Sequence, residues 1–217
     1  RGRRMARLRA DIERYFDPSA FVRGLDAGAG EEGVIRALGG RLVDLGVIDP
    51  EYVDRAIERE QLSSTAFTDA LAVPHAMGMT ASRTAIAIGI ADPSIPWGDG
   101  RVQVVALVAF SENDREAFQT VFEQFVEVFS ERESVHRIVR RGTDFTPFLD
   151  ELVAVIDGLS THLRRSGPAP AAALPHGPRP PCSRIRRPVS AVHPASAAPR
   201  RPPWHRPSRF APLPAVP

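Results

Sequence analysis

Fifteen of the 21 prolines lie beyond Arg164, and that imbalance decides how much of the chain can fold. Proline removes a backbone donor and fixes φ, so a run this dense in proline supports neither a helix nor the interior of a sheet. From 164 to 217 the prolines alternate with Ala, Arg and Ser, and no periodic apolar face is present. The composition predicts a disordered Pro/Arg-rich tail, at most locally polyproline II. What precedes it has the length of one domain with a substantial core.

The same division sorts the charge. From Leu163 onward there are ten Arg and no Asp or Glu, which leaves 18 basic against 26 acidic residues in 1–162 and a net of −8 there, although the whole chain is +2. The body is therefore an acidic domain, and the sequence argues against direct nucleic-acid binding by it. The tail offers Arg for phosphates, yet only Trp204 and Phe210 supply stacking groups, and an extension without a role is the simpler reading. Cys182 is the single cysteine, so no disulfide within the chain and no thiolate metal site is expected. That usage fits a reducing, cytoplasmic setting. No apolar run reaches the roughly 18 residues that would suggest a membrane span. The charged N-terminus lacks the apolar core of a signal peptide. The chain begins at Arg1 rather than Met, as a fragment would.

Within the body, periodicity predicts helices and strands in mixture. Residues 1–15 read as a lead-in helix or linker, with Met5, Leu8 and Ile12 at helical spacing. Phe21, Val22 and Leu25 suggest a brief extended segment. Val34, Ile35, Leu38 and Leu42 give one helix its apolar face, and Asp49-Pro50 is a capping residue with proline at the first helical position of the next. Leu71-Ala72-Val73 is a short strand, and Thr84 to Ile90 alternates as a longer one. Pro93, Pro96, Gly98 and Gly100 predict a long turn. Val102 to Phe110 is almost continuously apolar and β-branched, the pattern of a strand covered on both faces. Asn113 or Asp114 is expected to cap a helix whose Phe118, Val121, Phe122, Phe125, Val126 and Phe129 form a core stripe. Two more helices follow, from Glu133 to Arg141 and from Phe145 to about Leu159. The expected fold is α/β: a small mixed sheet sandwiched between helices over 16–160, with the tail from 164 to 217.

The candidate chemistry lies between Arg59 and Met77. Pro74 fixes its own φ and biases Val73 toward an extended conformation, so His75 leaves the end of a strand in a set direction. A neutral imidazole nitrogen is a nucleophile near neutral pH. A phosphoryl group in transfer needs positive charge and hydrogen-bond donors around its oxygens, and Arg59, Ser63, Ser64 and Thr65 supply these if the loop folds back. Taken alone, a histidine after proline is more often a surface or capping residue. His136, isolated on a helix, reads as structural or solvated.

The order of residues adds to this. Arg59-Glu60, then Ser64-Thr65-Ala66-Phe67, then Leu71-Ala72-Val73-Pro74-His75-Ala76-Met77 resembles the active-site signature of enzyme IIA domains of the fructose/mannitol class, from the bacterial phosphoenolpyruvate-dependent sugar phosphotransferase system. Ile95-Pro96-Trp97-Gly98-Asp99-Gly100 and Val102 to Leu107 resemble that family's turn and central strand, and the likeness covers roughly Phe16 to Ile156. The resemblance implies a phosphohistidine at His75 charged by the phosphocarrier protein HPr, with Arg59 steadying the phosphoryl group, Ser64 and Thr65 binding phosphate, and no metal or organic cofactor. Two departures stand out. Thr68 replaces the usual Gly or Ala, and no second histidine appears in Asn113 to Phe118, where transport-type members carry one. The missing histidine and the Tyr15-Phe16-Asp17-Pro18 lead-in look more like the C-terminal IIA-like domains of antiterminator-type transcription regulators, whose partners are PTS regulation domains; that likeness implies contact with nucleic acid only through a fused or partner regulator. The alternatives are a stand-alone IIA subunit passing phosphate to an enzyme IIB domain during sugar uptake, and an inactive IIA-like binding module.

Overall fold

The structure is a computed structural model that describes residues 2–165. The expected tail from 164 to 217 lies almost wholly outside the described residues, as does Cys182.

Helix α1 (Gly2–Glu13) leads into strand β1 (Phe16–Arg23), followed by α2 (Gly30–Asp44) and α3 (Pro50–Leu62). The short strand β2 (Leu71–Ala72) precedes the hairpin of β3 (Thr80–Trp97) and β4 (Gly100–Ser111). Helices α4 (Arg115–Val128), α5 (Arg132–Arg141) and α6 (Phe145–Arg165) complete the domain. The strands form one mixed sheet in the order β1-β3-β4-β2. β3 and β4 are antiparallel, while β1 and β2 each run parallel to their neighbour.

The period of two along β3 and β4 divides the core into two layers. Ile86, Ile88 and Ile90 with Val104, Ala106 and Val108 face α1, α4, α5 and α6. Ala85, Ala87 and Ala91 with Val105, Leu107 and Ala109 face α2 and α3. β4 is thus buried on both sides, which is why its sequence is apolar almost without interruption. Helix α1 lies on the first layer: Ile12 is buried, Arg4 pairs with the buried Asp157 at 3.0 Å, and Arg9 pairs with Asp150.

Three expectations are corrected. The stretch around Pro93 and Pro96 is not a long turn, because β3 continues to Trp97 and the hairpin turns only at Gly98-Asp99. A register shift between Ile90 and Ile95 absorbs the residues that cannot donate to the ladder. Neither Asn113 nor Asp114 caps α4 through its side chain. Ser111 accepts from the Asn113 N–H instead, and the Asp114 carboxylate accepts from the Thr84 hydroxyl at 2.8 Å. The last helix runs past Leu159 to Arg165.

Candidate functional site

α3 starts where its sequence says it should. The Asp49 carboxylate accepts from the Tyr52 N–H at 2.7 Å, and Pro50 occupies the first turn. Three turns on, the helix presents Arg59 and Glu60 side by side. Arg59 is half-exposed and donates to the Ser63 carbonyl at 2.8 Å, closing the helix end. Glu60 points the other way and is 4 % exposed.

The segment after α3 folds back on itself. Thr65 gives its N–H to Glu60 Oε1 at 2.8 Å and its hydroxyl to Glu60 Oε2. The indole Nε1 of the fully buried Trp97, at the end of β3, donates to Glu60 Oε1 at 2.9 Å. The Thr65 carbonyl accepts from the Val73 N–H at 3.1 Å, and the Leu71 carbonyl accepts from Phe67 at 2.8 Å. Thr68, the departure noted in the sequence, accepts from the N–H groups of Ala70 and Leu71 and so stiffens the turn into β2. Ser64 lies against Gly98: a Cβ on that residue would stand 2.6 Å from the Ser64 hydroxyl, and its φ of +54° also favours glycine.

β2 delivers Pro74 and His75 beside β4. The Val108 N–H donates to the Pro74 carbonyl at 3.0 Å, and His75 forms an isolated parallel rung with Val108 beyond the end of β2. Beneath this rung the buried Tyr52 hydroxyl donates to the Val108 carbonyl at 2.8 Å. The half-buried imidazole stands edge-on to Phe110, with centroids 5.8 Å apart and an interplanar angle of 87°. Its Nδ1 lies 2.8 Å from the Val73 carbonyl oxygen. A carbonyl only accepts, so Nδ1 carries the proton and Nε2 keeps the lone pair. Burial pushes the imidazole pKa below its ordinary value and the Arg59 guanidinium adds to that, against the upward pull of the Val73 carbonyl and the Glu60 carboxylate.

The predicted site residues are therefore not equivalent. His75 and Arg59 come within electrostatic reach of each other. The Ser64 hydroxyl is exposed and accepts from the Ala66 N–H at 3.2 Å. Thr65 has committed both its donors to Glu60, so the expected Thr65–phosphate contact has no free donor in this geometry. Sequence reasoning missed Glu60, the Tyr52 hydroxyl and Phe110. One signal was present for Glu60: it continues the stripe of Tyr52, Val53, Ala56 and Ile57, the buried face of α3, where a carboxylate is out of place unless it is paired.

Residues 16–154 match the family model described as phosphoenolpyruvate-dependent sugar phosphotransferase system, EIIA 2. The chain belongs to that family. This IIA domain is 27 % identical over 119 residues to the transcriptional regulator ManR of Bacillus subtilis, covering 55 % of the chain and 18 % of ManR. It is 40 % identical over 123 residues to the mannitol-specific EIICBA component of the Vibrio cholerae PTS system, covering 52 % of the chain and 17 % of that protein. The chain thus spans less than a fifth of either relative. Among solved structures, mannitol enzyme IIA from Escherichia coli, in its complex with phosphorylated mannitol enzyme IIB, superimposes with a TM-score of 0.54 at 22 % identity, over 66 % of this chain and 99 % of that one. That likeness carries the fold. Among the described residues, no helix is long and apolar enough to cross a membrane.

Proposed function

We propose that this IIA domain carries a phosphoryl group on Nε2 of His75, accepted from phosphorylated HPr, and that its phosphorylation state reports sugar flux to a transcription regulator. The observation that carries the proposal is the Nδ1–H bond to the Val73 carbonyl, which leaves Nε2 as the unprotonated nitrogen. In the transfer the Nε2 lone pair attacks phosphorus, the bond from phosphorus to the donor breaks, and its electron pair leaves with the donor. No proton has to be removed from Nε2 first. Arg59 supplies the positive charge that the phosphoryl oxygens require, and the exposed Ser64 hydroxyl is the second phosphate-facing group.

Partner proteins would dock around this point. Among the described residues the exposed large apolar side chains are Leu62, Phe67 and Met77, all in the segment that carries Arg59 and His75, with Leu62 83 % and Met77 62 % exposed. The regulatory role is supported by the likeness to ManR and by Asn113 to Phe118, which holds no second histidine. A phosphoryl group adds about −1.5 to −2 charges at neutral pH, enough to reset a contact between domains. The second reading, transfer onward to an enzyme IIB domain, is favoured by the likeness to the mannitol EIICBA component.

The deciding experiment supplies phosphoenolpyruvate, enzyme I and HPr and follows acid-labile, base-stable phosphate on the protein. Wild type should take up label, His75→Ala none, and Arg59→Ala label more slowly with its fold intact. A wild type that takes up no label from cognate partners leaves only the inert binding module. Delivery of the label to an added IIB domain would favour the transport reading.

A further inference from the structure

We propose that Glu60 is a positioning residue for phosphoryl transfer: through Thr65 and Val73 it holds His75 in the tautomer and orientation that present Nε2. This rests on the reading of His75 as the phosphoryl acceptor.

The connection is a short series of hydrogen bonds, each step of which is fixed by the one before. Glu60 is held on α3 and is tied to the β3–β4 hairpin by the Trp97 indole at 2.9 Å. It takes both donors of Thr65, which leaves that residue one orientation relative to helix and hairpin. The Thr65 carbonyl takes the Val73 N–H at 3.1 Å. The Val73 carbonyl, on the same residue, takes the His75 Nδ1–H at 2.8 Å. Between Val73 and His75 stands Pro74, which has no N–H to offer and whose carbonyl is held separately by the Val108 N–H at 3.0 Å. The Thr65 bond fixes the peptide that enters Val73 and the His75 bond uses the peptide that leaves it, so Glu60 bears on the ring through the two backbone torsions of Val73, with Val108 steadying the far side.

The arrangement also distinguishes geometry from charge. Both N–H donors, from Thr65 and Trp97, converge on Oε1, while Oε2 meets only the Thr65 hydroxyl. Glutamine at this position keeps every bond: its oxygen accepts from the two N–H groups, and its amide donates to the Thr65 hydroxyl oxygen, which rotates its own proton away. Glu60→Gln is thus neutral but correctly bonded. Glu60→Ala removes the bonds and the charge together, and leaves two N–H groups without partners. Thr65→Val removes one bond and leaves the carboxylate.

The test reads the ring directly. Nitrogen-15 NMR of labelled histidine reports whether the His75 proton resides on Nδ1, and initial rates of phosphorylation by HPr are divided into kcat and KM. In Glu60→Ala and, to a smaller degree, Thr65→Val, the Nδ1–H signature should give way to a mixture of tautomers, and kcat should fall by about 10- to 100-fold, the range for a misplaced reacting group. KM should move far less than kcat. Glu60→Gln should keep the wild-type tautomer and most of the rate. If Glu60→Ala retains the Nδ1–H signature and the wild-type kcat, Glu60 is only a structural anchor and the proposal is wrong. If Glu60→Gln loses as much rate as Glu60→Ala with its tautomer unchanged, charge rather than position is responsible, and the proposal is equally wrong. Should Glu60→Ala not fold, Glu60→Gln and Thr65→Val decide the matter. The tautomer is read without any phosphate donor, so a wild type inert to HPr overturns the functional reading of His75 but leaves the NMR comparison to judge the positioning.

Discussion

Replacing Tyr52 by Phe removes a single oxygen from beneath His75. The ring is 1 % exposed, and its packing against the α2–α3 layer would be unchanged. What disappears is the 2.8 Å bond to the Val108 carbonyl, at the rung where β4 meets His75. Burial raises the phenol pKa, with the nearby backbone of Phe110 and Ala76 pulling it back. An intramolecular hydrogen bond contributes about 1 kcal/mol net, and a buried partner left unsatisfied costs about 1–3 kcal/mol. With the bond gone and the buried Val108 carbonyl short of that donor, Tyr52→Phe should destabilise the domain by about 2 kcal/mol. For a domain of this size that lowers Tm by about 4–8 °C. Urea titrations of wild type and Tyr52→Phe followed by circular dichroism, with equal m-values, would give the difference directly. Because the loss sits under the rung that ends in His75, the rate of phosphorylation should fall as well, even far below Tm. A difference under about 0.5 kcal/mol would refute the argument, since it would mean that the hydroxyl finds water in both states and ties nothing together.

Two further outcomes follow from the site and the sheet. The His75 pKa is lowered in the fold, so the unfolded chain binds the proton more readily. His75 therefore adds nothing to stability well above pH 6.5 and costs stability as pH falls below it, toward the lowered folded value; a histidine NMR titration should place its midpoint below 6.5, and a midpoint above that would contradict the burial argument. Gly89→Ala should destabilise by about 1–3 kcal/mol through overpacking, because a Cβ there would stand 2.7 Å from a Leu25 methyl; an unchanged denaturation midpoint would show that Leu25 simply moves aside.

Much of this was legible in the residues. The apolar run of Val102 to Phe110 could only be a strand covered twice, and it is the inner strand β4. Asp49-Pro50 announced the start of α3, and Pro74 announced that His75 would be directed rather than loose. The failures have one physical source. Pro93 and Pro96 argue for a turn only while the register shift that accommodates them is unknown, and that shift belongs to the pairing of β3 with β4. Glu60 takes a donor from Trp97, 37 residues away, and Tyr52 reaches Val108, 56 residues away. Local pattern sets Glu60 on the buried face of α3 without showing its partners, and leaves Tyr52 in an anonymous core. The tautomer of His75 needed the Val73 carbonyl to be placed before either nitrogen could be chosen.

The two sides of the sheet differ in bulk, with Ile86, Ile88 and Ile90 on one and Ala85, Ala87, Gly89 and Ala91 on the other. Helix α2 therefore rides on the shallow side, and α3, which carries Arg59 and Glu60, packs against α2. Any thickening of that shallow row would push α2, and α3 with it, outward from the sheet. The smallest residues of the sheet thus decide how far the helical layer that bears Arg59 stands from the strands.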